Sequence, residues 1–212
     1  MPLVYQQDIN LTTKIGLWYI TENEDFFVQH QIAAGREITH PNKRLQHLAG
    51  RFLLKVLFPD FPYHLVQIAD TRKPFIQNDL FHFSISHCGE YATAIVSNNK
   101  RVGVDVEMFT SRVLKVKHKF LGNTEQQLIE QLASTQTEQY IQLLTTAWSI
   151  KESLFKWYGD GELDFIKHLH IQKWYFIENK GIAYCKILKD ANIELEVHFL
   201  YLNNNCISWV VS

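Results

Sequence analysis

Apolar side chains recur along this chain with two periods, and each switch between them marks an element. The run K-I-G-L-W-Y-I from Lys14 to Ile20 is β-prone and predicts the first strand. A mixed helical region follows, from Thr21 to about Gly35. Pro41 and Asn42 then open a helix whose apolar positions Leu45, Leu48, Ala49, Phe52, Leu53 and Val56 share one face. Leu65 to Ala69 predicts a strand and Asp70 to Pro74 a turn. Phe81 to Ser86 alternates, with Phe81, Phe83 and Ile85 on one face and His82, Ser84 and Ser86 on the other. That strand delivers His87, Cys88 and Gly89 to its end. Tyr91 to Ser97 and Val102 to Val106 predict two more strands. Helical spacing returns from Val113 to Ala133, with Asn123 or Thr124 as a cap near Glu125. A long helix runs through Lys156 and stops at Gly159-Asp160-Gly161. Four β-prone segments follow, Leu169 to Ile177, Ile182 to Leu188, Ile193 to Leu202 and Cys206 to Val211. This order predicts an α+β protein with two similar halves, residues 1–104 and 105–212, and shows no sequence repeat.

Composition narrows the class. At 212 residues, 46% hydrophobic and 13% aromatic, the chain can bury one generous core or two smaller ones. Lys and Arg total 21 against 22 Asp and Glu, a net charge of −1. That balance gives no general attraction to nucleic acid, although local basic patches are compatible with it. Gln6, Gln7, Asp8 and Asn10 interrupt any leader-like apolar segment, and no run is long enough for a membrane span. Cys88, Cys185 and Cys206 are odd in number and widely spaced, so a reduced, cytoplasmic compartment is expected.

The chemistry-bearing residues concentrate in two places. In the long helix, Leu143, Leu144, Ala147, Ile150, Leu154, Phe155 and Tyr158 fill one arc, with Glu152 and Lys156 together at its edge. Lys151 falls inside the arc, and a buried ammonium needs a partner. The alternative is an ordinary i,i+4 ion pair beside a snorkelling lysine. In Val102 to Glu107, Asp105 and Glu107 are two apart on a strand, so both carboxylates leave the same face. Two like charges there favour a hard cation, above all Mg²⁺, which takes oxygen ligands and commonly a substrate phosphate. A solvent-exposed D-x-E at a strand end is the competing reading. Arg44, Arg51 and Lys55 form a stripe beside an apolar helix face, either a solvated edge or a grip on phosphate. His87, preceded by Ser86 at a strand end, suits a phosphate hydrogen-bond donor. His168 and His170 lack a nearby third ligand and count as background.

Three blocks, Phe83-Ser84-Ile85-Ser86-His87, Gly103-Val104-Asp105-Val106-Glu107 and Trp148 to Lys156, resemble the signatures of the 4′-phosphopantetheinyl transferases. The likeness is to the larger, single-chain type. Thr71-Arg72-Lys73-Pro74 resembles that family's G-K-P loop, and Lys119-Phe120-Leu121 with Glu125 its F-[FL]-x-x-x-E segment. The resemblance implies two α+β halves related by pseudo-twofold symmetry, with coenzyme A between them. It implies a monomer that transfers phosphopantetheine from coenzyme A to a serine of an apo acyl or peptidyl carrier protein, releasing adenosine 3′,5′-bisphosphate.

By the same resemblance Asp105, Glu107 and Glu152 hold Mg²⁺, and Glu152 is the base. Lys151 and Lys156 stabilise diphosphate charge. Arg72, Lys73, Pro74, Ser86 and His87 contact the nucleotide and its phosphates, and Arg36, Arg44 and Arg51 are candidates for the 3′-phosphate. Phe120 and Leu121 are expected in an apolar patch for the carrier helix. Two departures stand out: Cys88 where the family usually has Ser, and two acids, Asp160 and Glu162, in the loop after Lys156. The alternatives are a Mg²⁺-dependent nuclease, against which the residue order and charge balance count, and a non-catalytic coenzyme A- or carrier-binding module.

Overall fold

The computed structural model describes residues 2–33, 37–71, 73–77, 80–133 and 137–212. The chain separates into two compact units, Met1–Val106 and Glu107–Ser212. The division falls inside a strand, two residues beyond the expected 104/105 boundary.

The first unit builds an antiparallel sheet in the order β1-β2-β6-β5 from Leu3–Asn10, Thr13–Tyr19, Tyr91–Ser97 and His82–Cys88. Strand β1 is absent from the sequence reading, which took Lys14 to Ile20 as the first strand. Its Gln6, Gln7 and Asp8 are exposed because β1 is an edge strand, so it lacks the apolar alternation that reveals a half-buried one. Helix α1 (Glu24–Gln29) is capped by the Asn23 side chain, and α2 (Pro41–Leu57) packs Leu48, Ala49, Leu53, Leu54 and Leu57 into the core. Gly50 lets α2 approach the sheet; a Cβ there would collide with Ile85. The expected strand at Leu65 to Ala69 shrinks to β3 (Gln67–Ile68), which pairs with β4 (Pro74–Phe75). Strand β7 (Val102–Met108) carries the division, with Val102, Val104 and Val106 almost wholly buried.

The second unit includes the last two residues of β7 and a sheet in the order β7-β11-β10-β9-β8. Its other strands are β8 (Leu169–Ile177), β9 (Lys180–Leu188), β10 (Asn192–Leu202) and β11 (Asn205–Val211). The single helical stretch expected from Val113 to Ala133 is three pieces: α3 (Arg112–Val116), a 3₁₀ turn at Lys117–Lys119, and α4 (Asn123–Leu132). Helix α4 begins after Gly122, one residue before the predicted cap, because the Glu125 carboxylate accepts the Gly122 amide instead.

Helix α5 (Thr137–Tyr158) buries Leu143, Leu144, Ala147, Ile150, Leu154 and Trp157. It is bound to β11 by Ser208, whose Oγ donates to the Ser149 carbonyl at 2.8 Å and lies 2.9 Å from Ser149 Oγ. Gly159, at φ 83°, ends it. At the far edge β8 finishes with Tyr175, Phe176 and Ile177 exposed. Among the described residues no helix is long and apolar enough to cross a membrane.

Candidate active site

In the first unit, β5 presents its polar face to the strand carrying Asp105. Ser84 Oγ accepts the Val104 amide at 3.1 Å, and Ser86 Oγ donates to Asp105 Oδ1 at 2.7 Å. Asp105 is 2% exposed, so its carboxylate is fixed by burial and by that hydroxyl. Ser86 therefore faces Asp105, where the resemblance had it contacting the nucleotide. His87 lies half-buried at the end of β5, its ring 5.1 Å from that of His47.

Two cationic candidates of this unit, Arg44 and Arg51, hold protein groups. Arg44 donates through Nε to Glu24 at 2.8 Å and through Nη1 to the Ile38 carbonyl at 2.8 Å. The same pair holds the Glu24 carboxyl below, and the Arg44 guanidinium above, its ordinary pKa. Both line an open cavity of about 420 Å³ with Val28, Gln31, Ile32, Ala33 and Leu48. Arg51 Nη1 donates to Tyr63 Oη at 3.0 Å. Lys73 lies in the β3–β4 turn, where its carbonyl accepts the Ala69 amide, and Pro74 starts β4. Arg36 and Arg72 lie outside the described residues.

In the second unit the helical wheel places Lys151 correctly in the buried arc, and the structure supplies its partner. Lys151 is 0% exposed and its ammonium donates three hydrogen bonds, to Glu125 Oε2 (2.6 Å), the Phe120 carbonyl (2.6 Å) and the Phe165 carbonyl (2.8 Å). Three donors meet three acceptors. Burial pulls the Lys151 pKa down, and the Glu125 carboxylate works against that pull. Glu125 in turn accepts the amides of Gly122 and Ile171 at 3.0 and 2.9 Å. The expectation that Lys151 neutralises a diphosphate therefore gives way to an internal role: its partner is Glu125, and its charge joins α5, α4, β8 and the loop after α5. A glutamate four residues beyond Leu121, opening a helix, was the available signal for this pairing.

Phe120 and Leu121 need a correction as well. They are 0% and 6% exposed and belong to the core of this unit, so they form no surface patch for a partner helix.

What the Lys151 carbonyl bonds anchor is an aromatic cluster. The Phe120 ring meets Trp148 edge-on (5.1 Å, 64°), and Phe165 stacks on it (5.4 Å, 23°). Such pairs contribute about 0.5–1.5 kcal/mol each beyond area burial. Asp164 orders the Phe165 loop by accepting the Ile166 and Lys167 amides at 2.9 and 2.8 Å, which holds its carboxyl below the usual range. His168 is used in the same loop, accepting the Asp164 amide through Nδ1 at 2.9 Å. Trp148 then donates its indole N–H to Glu107 Oε1 at 3.0 Å. This link between the first residue of the third block and the last of the second was not legible in the sequence. Glu152 and Lys156 follow on α5, four residues apart and both half-buried, with Lys156 in the last turn, where the helix dipole favours a cation.

The donor set suits Mg²⁺. Asp105 and Glu107 are each hard oxygen donors, and each is oriented by a group that carries no charge, Asp105 by a hydroxyl and Glu107 by an indole N–H. Among the described residues no three His, Cys, Asp or Glu side chains gather into a ready-made cage. Mg²⁺ does not require one, since it commonly takes one or two carboxylates and fills its octahedron with water and substrate phosphate.

A family model described as the 4′-phosphopantetheinyl transferase superfamily matches residues 101–208, half of the chain, from β7 through α5 into β11. The chain belongs to that superfamily. Among curated relatives, enterobactin synthase component D of Salmonella austin is 33% identical over 128 residues, covering 60% of this chain and 51% of the relative. The protein of the same name from Salmonella typhi is 31% identical over 131 residues, with the same coverage. That from Escherichia coli O157:H7 is 29% identical over 123 residues, 54% of each chain. This superfamily member thus spans about half the length of the curated relatives it matches.

Proposed function

We propose that this protein transfers the 4′-phosphopantetheine group of coenzyme A to a serine of an apo acyl or peptidyl carrier protein, with Mg²⁺ as cofactor. The observation that carries the reading is the unbroken family match over residues 101–208, which includes Asp105, Glu107, Glu152 and Lys156. Membership of this superfamily removes the reason for a nuclease reading.

In the proposed reaction the serine Oγ forms a bond to the β-phosphorus of coenzyme A as the bond to the departing adenosine 3′,5′-bisphosphate breaks. Phosphoryl transfer depends on positioning and charge neutralisation more than on covalent help from the protein. Asp105, Glu107 and Glu152 would hold Mg²⁺, which supplies charge stabilisation on the diphosphate. Glu152 accepts the serine proton at a carboxylate oxygen, directly or through water. Lys156, at the carboxyl end of α5, offsets phosphoryl charge. Lys73, Pro74 and His87, with Arg72, remain proposed nucleotide contacts, and Arg36 a proposed contact of the 3′-phosphate. Arg44 stands beside a cavity able to admit a phosphate, and its Glu24 pair would have to open for it to take one. Arg51 is proposed for the same 3′-phosphate. The pseudo-twofold relation of the halves, a monomeric state and a cytoplasmic setting belong to the same proposal.

The test is direct. Purified protein, Mg²⁺ and coenzyme A are incubated with a panel of apo carriers, including those of its own host, and each carrier is weighed by mass spectrometry. Gain of one phosphopantetheine is expected. A panel in which no carrier gains mass overturns the reading.

A further inference from the structure

The route from Lys151 to Glu107 has a function that neither the family match nor the relatives' names describe. Lys151 is too deeply buried to meet substrate, yet two of its three hydrogen bonds go to the two segments whose rings pack against one indole. Only one polar atom of that indole, Nε1, is a donor, and it points at Glu107. We propose that Trp148 is a positioning residue: packed against Phe120 and Phe165, whose carbonyls Lys151 ties down, it sets the rotamer of the Glu107 carboxylate for cation binding.

The half-buried Glu107 carboxylate sits at the end of a flexible stem. That stem has three rotatable bonds, and ordering them has an entropic cost at the moment of binding. A donor fixed in place before binding removes part of that cost, as a hydrogen-bond partner behind a metal ligand does elsewhere. An indole packed against two rings is a more rigid donor than a hydroxyl or an amide on a flexible stem. The Glu125–Lys151 pair supplies the rigidity: it fixes the backbone at Phe120 and Phe165, and Asp164 fixes the loop that carries the second ring.

The inference rests on Glu107 binding the cation in the proposed reaction, so its test reads cation binding separately from turnover. Mn²⁺, visible by electron paramagnetic resonance, is titrated into the whole protein with coenzyme A present and carrier absent. Trp148→Phe keeps a ring in the cluster and removes the N–H; it is expected to weaken Mn²⁺ about 10–100-fold, the usual effect of losing such a partner. Phe165→Leu removes the stacked ring and keeps the carbonyl that Lys151 uses; a smaller weakening in the same direction is expected. In the transfer assay both variants should regain most of the wild-type rate as Mg²⁺ is raised, a recovery that general misfolding does not allow. Near-ultraviolet circular dichroism checks folding, and should Trp148→Phe fail it, Phe165→Leu decides.

Wild-type Mn²⁺ affinity in both folded variants overturns the positioning role. So does a wild-type protein that binds no Mn²⁺. A wild type that binds Mn²⁺ and modifies no carrier overturns the transferase reading alone and leaves the Trp148 measurement standing.

Discussion

Replacing Lys151 by Met is the sharpest test of how the second unit is held together. The substitution roughly preserves volume and removes the charge. The ammonium is wholly buried and its three hydrogen bonds are 2.6–2.8 Å long, so Met strands the Glu125 carboxylate and two carbonyls at once. Breaking a buried ion pair from one side costs about 3–5 kcal/mol, because the remaining charge has no compensation. Glu125 still accepts the Gly122 and Ile171 amides, which places the expected loss near the lower end of that range, about 3 kcal/mol. The assay is urea denaturation followed by tryptophan emission. It reports mainly on this unit, since Trp148, Trp157, Trp174 and Trp209 lie in it and only Trp18 in the other. A lower midpoint with an unchanged slope is the expected signature. Pairing Lys151→Met with Glu125→Met should recover only part of the loss, because the two amides that Glu125 serves then lose their acceptor. A single-variant cost below about 1 kcal/mol would refute the account of Lys151 as the unit's internal charge, because that figure suits an exposed pair.

Three further outcomes are expected. Glu152→Gln should lower the carrier-modification rate about 10²–10⁴-fold if its carboxylate takes the serine proton; a near-normal rate at saturating Mg²⁺ removes it from that role. Gly181→Ala should destabilise by about 1–3 kcal/mol or more, since a Cβ there would lie 2.1 Å from the Phe199 ring and 2.5 Å from the Tyr175 carbonyl; an unchanged thermal midpoint counts against that packing. His198 stacks on Trp209 at 5.7 Å, and burial lowers its pKa from 6.5. The unfolded chain then binds the extra proton first, so this contribution is fully present above about pH 6.5 and declines as pH falls toward the lowered folded value. Urea midpoints at pH 7.5 and pH 5 should differ less in His198→Gln than in the wild type.

How much of this was legible in the sequence varied with burial. Helices α2 and α5 and strand β8 follow from apolar spacing, because each buries one face within its own unit, while β6 follows from a β-prone run that is buried along nearly its whole length. Strand β1 escaped because an exposed edge selects polar side chains that carry no period. The three pieces between Arg112 and Leu132 escaped because short helices and a 3₁₀ turn can share one apolar face. At the site, the need of Lys151 for a partner was readable from the wheel, but the identity of that partner was not, since Glu125 lies 26 residues away. Phe120 and Leu121 were misread because two adjacent apolar residues look alike whether they face a partner or the core. The Trp148 to Glu107 bond spans 41 residues and was invisible for the same reason as the Lys151 partner: only the fold brings the two together.

The rim of the second sheet carries a practical lesson. Near its start β8 is shielded, because the Glu125 carboxylate occupies the Ile171 amide from outside the ladder. Toward Ile177 no such side-chain bond is seen among the described residues, and Lys173 is the only lysine, arginine or carboxylate in a strand that ends with Tyr175, Phe176 and Ile177 exposed. Peptide groups along that stretch resemble a template for a foreign strand. Concentrated stocks should therefore associate there first, with that lone lysine as gatekeeper.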